Sequence, residues 1–231
     1  MKMQKRVIIA AACCVAFLAV ASFGIAVTVA KSPKTRATVV LDAGHGGIDG
    51  GVTGAVSGVK ESELNLKIVK ELKRVLESRG VKVVLTRSSD AGLYGNATRG
   101  FKRRDMLARK RIINGCNASA FVSVHINYYS SPTRRGAQAF FRADDARSET
   151  LAAAVQSRLN TLSGQPARLS ALVGDYYVLN ESEPPSALVE CGFLSNAADE
   201  KLLLTEEYRK EIAAAIADGV LEYLFALNAT A

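Results

Sequence analysis

Apolar and polar positions follow two rhythms along this chain. Short β-branched or apolar runs at residues 38–41, 81–86, 118–125, 136–142, 176–179 and 187–190 read as strands. Between them the apolar residues recur at three-to-four spacing. Over residues 62–79, Leu64, Ile68, Val69, Leu72, Val75 and Leu76 fall on one helical face, with Ser62 as a cap and Gly80 as a stop. Residues 103–114 predict a basic helix with a solvated face. Residues 144–162 predict another, its Asp144 and Asp145 suited to the positive helix end, and 206–227 an Ala-rich amphipathic one. Strands alternating with helices predict an α/β fold: a single domain whose mainly parallel, twisted sheet of about six strands carries helices on both faces.

One stretch stands outside this alternation. Residues 7–30 carry no charge, follow Lys2, Lys5 and Arg6, and are long enough to cross a bilayer as an N-terminal hydrophobic helix. An uncleaved membrane anchor with its N-terminus inside is favoured. A signal peptide cut after Ala19-Val20-Ala21 or near Ala30 is the alternative, and both export the remainder. A lipoprotein cut at Cys13 would leave too short an apolar core. The expected organisation is a signal peptide or anchor over 1–30, a polar linker over 31–36 and one domain over 37–231. Membrane contact through the leader is expected if it stays uncleaved.

Charge changes meaning once the leader is set apart. The chain has a formal net charge of +8, and Lys2, Lys5, Arg6, Lys31, Lys34 and Arg36 supply six of it with no acid among them, so the rest carries only +2. That balance argues against a nucleic-acid partner. The chain lacks both GxGxxG and GK[ST], so nucleotide binding is poorly supported. Hydrophobic residues make up 48% of the sequence, enough for a sizeable core. Cys116 and Cys191 fall in the exported part, where a disulfide and two buried thiols are equally open readings.

The candidate chemistry begins with the two histidines, His45 and His125, each closing a predicted strand. Strand carboxyl ends are where open α/β sheets gather ligands. Catalytic zinc sites use three protein ligands and leave a fourth position for water, so a carboxylate or thiolate must complete the set. Glu61 ends the glycine-dense loop GHGGIDGGVTGAVSG and begins the first helix on the same sheet edge, and Glu63 competes with it. Both acids would also suit the helix dipole alone. Glu190 interrupts the apolar run SALVECGF. A buried carboxylate there is costly unless paired or bound, and it would suit a general base.

VVLDAGHGGIDGG, KESELNL, SVHIN and ALVECGFLSN, in this order and spacing, resemble the zinc-dependent N-acetylmuramoyl-L-alanine amidases of the amidase-3 type over about residues 38–227. The resemblance implies Zn2+ held by His45, Glu61 and His125, with Glu190 as the catalytic glutamate. Glu61 is preferred to Glu63 because it holds the family's acidic position ahead of Asn65-Leu66. The implied reaction is hydrolysis of the amide between N-acetylmuramic acid and L-alanine in peptidoglycan, outside the cytoplasm. TRSSDAGLY, RRDMLARKRIIN and the lack of a wall-binding repeat resemble the compact sporulation and germination branch, which acts on spore cortex. A zinc peptidase cutting within the stem peptide and a non-catalytic wall-binding scaffold are the alternatives, and the need for an activating protein partner is left open.

Overall fold

Strand β1 (Thr38–Ala43) sends Val39, Leu41 and Ala43 into one core and Val40 into another, the two-residue period of a strand covered on both faces. The computed structural model describes residues 37–96 and 98–229. Its sheet runs β2 (Lys82–Leu85), β1, β3 (Ala120–Asn127), β6 (Ser186–Phe193), β4 (Gln138–Phe141), β5 (Leu172–Val173). The first four strands are mutually parallel, and β4 pairs antiparallel with β6.

Three helices pack on one face: α1 (Glu61–Ser78) through Leu64, Ile68 and Leu72, α3 (Ala146–Leu159) through Leu151 and Val155, and α6 (Glu206–Ala229) through Ile212, Ile216 and Val220. The other face is covered by α2 (Phe101–Asn114) and the one-turn α4 (Tyr177–Asn180). There Ile113, Val178 and Leu179 meet Val40, Phe121 and Leu188. Past these apolar contacts the cover turns polar, with α2 sending Arg109 to Asp42 and to the His45 carbonyl. Further along the same strands, at two-residue spacing, come Asp42, then Ser123 and His125, then Glu190. These residues form a polar strip at the carboxyl ends of β1, β3 and β6, in which Asp42, Ser123 and Glu190 are buried and His125 is partly exposed.

The architecture agrees with the expected α/β fold, with one exchange among its strands. Residues 176–179, expected as a strand, form α4: the amides of Leu179 and Asn180 both donate to the Tyr176 carbonyl. Burying Val178 and Leu179 against the sheet outweighs the strand preference of this β-branched and aromatic run. The sixth strand is the exposed pair Leu172–Val173. Helix α5 (Ala197–Leu203) was not anticipated, although Asn196 caps it by accepting from the Ala198 and Asp199 amides. Cys191 lies in the core under α1, α3 and α6, while Cys116 packs against the opposite one. The sheet separates them and both are free thiols. The expected leader lies outside the described residues, and among those described no helix is long and apolar enough to cross a membrane.

Candidate functional site

The site begins where β1 stops pairing. His45 has φ +62°, a left-handed conformation uncommon for a residue with a side chain. Two buried arginines hold the backbone there. Arg87 donates to the carbonyls of Ala43 (2.8 Å) and Gly44 (3.0 Å), and Arg109 to those of Ala43 (2.9 Å) and His45 (2.6 Å). Arg109 is fully buried and pairs with Asp42 and Asp105, which hold its charge well into the protonated form against the cost of burial. Far from belonging to a solvated face, it fixes the turn that aims His45.

In a continuing parallel ladder the Ile126 amide would donate to the Gly44 carbonyl, since the Gly44 amide already donates to Val124. That carbonyl instead accepts from Arg87 and Asn65, and the Ile126 amide donates to Glu61 Oε1 at 3.2 Å. Glu61 thus occupies the gap between β1 and β3. It also accepts from the Val52 amide (3.0 Å) and the Asn65 side chain (3.1 Å). Glu63 is exposed and takes no part.

The two imidazoles approach this carboxylate from different strands: His125 Nδ1 lies 2.9 Å from Oε1, and His45 Nε2 3.3 Å from Oε2. The rings meet edge to face with centroids 5.0 Å apart. Burial disfavours charge on Glu61, but the imidazoles outweigh it and hold the carboxyl far below its ordinary range. Burial likewise opposes protonation of His45, and Glu61 with Asp49 overcomes it, raising that imidazole's pKa. Asp49 Oδ1 sits 2.9 Å from His45 Nδ1, and Lys102 donates to Asp49 Oδ2 at 2.6 Å.

These donors suit a divalent cation. One nitrogen from each histidine and one Glu61 oxygen all lie within 4.8 Å of one another. A tetrahedral ion with bonds of about 2.0–2.2 Å requires separations of about 3.4 Å, which small side-chain movements reach. Close packing enforces the convergence. A Cβ on Gly44 would stand 2.2 Å from the His125 ring, and one on Gly51 2.3 Å from Glu61 Oε2.

Glu190 stands directly across from His125 in the β3–β6 register. It is buried, and its Oε2 has no hydrogen-bond partner among the described residues. Burial, reinforced by the charge of Glu61 and opposed by the histidines, pushes its carboxyl pKa up to about 7. A cleft of about 120 Å³ opens beside the histidines, walled by Met106, Lys102, Tyr176 and Tyr177.

All four sequence-selected residues therefore gather at one sheet edge. Sequence reasoning missed Asp49, Arg87 and the role of Arg109. For Asp49 the four-residue spacing from His45 was a usable signal, whereas each arginine meets its carbonyls only through the tertiary fold.

Residues 39–222 match the family model described as N-acetylmuramoyl-L-alanine amidase. The chain is 32% identical over 194 residues to a germination-specific N-acetylmuramoyl-L-alanine amidase of Bacillus subtilis, covering 83% of this chain and 81% of that one. Among solved structures, the CwlD amidase from Clostridioides difficile, determined in complex with the GerS lipoprotein, superposes with a TM-score of 0.79 at 37% identity. That match covers 83% of this chain and all of the other. The catalytic domain of CwlV, an amidase from Paenibacillus polymyxa, gives 0.73 at 30% identity over 82% of this chain and 98% of that one. The gathered histidines and glutamates and these likenesses lead to one conclusion: the chain belongs to the Amidase_3 family of N-acetylmuramoyl-L-alanine amidases, and it is an enzyme of that class.

Proposed function

We propose that this chain is a zinc-dependent peptidoglycan amidase that cleaves between N-acetylmuramic acid and L-alanine, with His45, Glu61 and His125 as metal ligands and Glu190 as general base. The observation that carries the reading is a buried carboxylate, its Oε2 without a hydrogen-bond partner and its pKa pushed up to about 7, placed opposite one member of a His–Glu–His cluster. Zn2+ bound by such ligands polarises a carbonyl and makes water acidic. The protein's own groups do the rest. Arg109 and Arg87 set the His45 turn, and the main-chain amides of Val52 and Ile126 with Asn65 lock the Glu61 carboxylate. Glu190, uncharged or charged at similar cost near neutrality, takes a proton from the attacking water and returns it to the leaving L-alanine nitrogen, a role worth roughly 100-fold to 10,000-fold.

The same proposal places the enzyme outside the cytoplasm, delivered by residues 1–30 as a signal peptide or anchor with 31–36 as linker. The germination-specific relative supports a role on spore cortex, and the lipoprotein complex of the structural neighbour supports a protein partner here too.

The test is product identification after digestion of purified peptidoglycan by the zinc-loaded protein. Released stems with a free L-alanine amino terminus are expected, with a chelator abolishing release. Shortened stems still attached to muramic acid would indicate a peptidase, and uncleaved polymer a wall-binding scaffold. One zinc per chain is expected in wild type and much less in Glu61→Ala.

A further inference from the structure

We propose that the cleft on the β4 side of Glu190 receives the acidic stem peptide, and that Arg134 binds a stem carboxylate there. The inference rests on the amidase reading and adds a direction to it. One cleft opens beside the two histidines and a second beside Gln138; Tyr176 lines the first and Phe140 the second, and these two rings meet edge to face with centroids 5.4 Å apart. In the first, the cations are already paired, Lys102 with Asp49 and Arg109 with Asp42. The second, of about 490 Å³, is lined by Arg134, Arg135, Asn127, Gln138, Phe140 and Leu172 among others, and no acid contributes to its lining.

Its two arginines differ. Arg135 turns inward, with Nε 3.3 Å from the buried Asp199 and Nη2 donating to the Gly164 carbonyl. Arg134 is exposed, and its guanidinium sits 4.5 Å above the centre of the Tyr129 ring. A cation–π contact orients that group without neutralising it, and its planar fork matches a carboxylate.

Substrate chemistry supplies the direction. The N-acetylated glycan has no charge next to the scissile amide, whereas the stem carries the free carboxylates of its glutamate and terminal residues. The glutamate follows L-alanine directly, which puts its carboxylate about 7 Å from the cut at ~3.5 Å per residue. Gln138 is the register partner of Glu190 on β4, so the cleft begins one strand spacing, about 4.8 Å, from the proposed base. Phe140 and Leu172, the latter 49% exposed, give the stem an apolar wall.

The experiment compares two soluble muropeptides that differ only in whether the stem glutamate carboxylate is free or amidated, using the zinc-loaded full chain. For the free acid, Arg134→Gln should lower kcat/KM more than 10-fold through KM, the scale of a charge-assisted hydrogen bond, and Arg134→Glu should lower it further. For the amidated substrate both variants should stay within about 2-fold of wild type, because the uncharged amide forgoes most of the charge-assisted bond. Equal losses on both substrates, or none on either, would overturn the subsite while leaving an active amidase. Failure of wild type to cleave either muropeptide would strike the amidase reading itself.

Discussion

The guanidinium of Arg109, carried on α2, donates from Nη2 to the carbonyl oxygen of His45 at 2.6 Å, so a helix on one face of the sheet holds the first metal-ligand candidate in its left-handed turn. The same group neutralises Asp42 and Asp105 in the interior. Arg109→Ala is expected to lose about 3–5 kcal/mol in equilibrium denaturation, because two buried carboxylates remain unpaired. Arg109→Lys keeps the charge but lacks a fork that spans both acids and the His45 carbonyl. It should retain more stability yet hold zinc more weakly in chelator competition. Wild-type zinc affinity in that variant would show that the turn stands without the arginine.

Gly44 is the tightest point of the cluster. A methyl group there would overlap the His125 ring at 2.2 Å, with the ring held on a strand between two others. Gly44→Ala should therefore abolish stoichiometric zinc binding while the far-ultraviolet circular dichroism stays that of the wild type. Metal analysis after dialysis decides it, and one retained zinc per chain would mean that His125 is no ligand.

Removing the proposed base should separate metal binding from turnover. Glu190→Gln is expected to keep zinc and lose at least 100-fold in kcat. Wild-type kcat/KM should rise as pH increases and level off near or below 7, since a base works deprotonated and a nearby cation lowers its pKa from the metal-free value of about 7. Residual activity in Glu190→Gln should lack that acidic limb.

The same residue costs stability. A folded pKa raised from 4.5 to about 7 means that burying Glu190 is tolerated fully only below its unfolded pKa, and that this contribution is lost as pH rises through about 7. At 1.36 kcal/mol per unit the penalty is on the order of 3 kcal/mol. Metal-free Glu190→Gln should accordingly be more stable than wild type at pH 8 and equal to it near pH 4. Denaturation curves at the two pH values measure this, and identical curves at pH 8 would contradict the buried-charge account.

The layered fold and the four candidate residues that it brings together were legible because each leaves a local mark. Val39, Leu41 and the Leu64-to-Leu76 stripe carry the periods of strand and helix, and Glu190 breaks an apolar run. What escaped was set by tertiary contacts. Residues 176–179 look like a strand until Val178 and Leu179 find Phe121 and Leu188. Arg109 reads as one of several surface cations in a basic helix, and only its approach to Asp42, 67 positions away in sequence, buries it. The ladder gap that Glu61 fills depends on where β1 departs from β3, which no local pattern encodes.

The cleft beside the histidines, walled by Lys102, Met106, Tyr176 and Tyr177, has a consequence for how the enzyme would meet a polymer. Because this cleft and the one beside Gln138 both open at the surface, an uninterrupted strand is expected to lie across them without being threaded or presented by a free end. On the proposed amidase reading, attack should start anywhere along a sacculus, and early digestion should strip stems from long glycans before any short fragment appears.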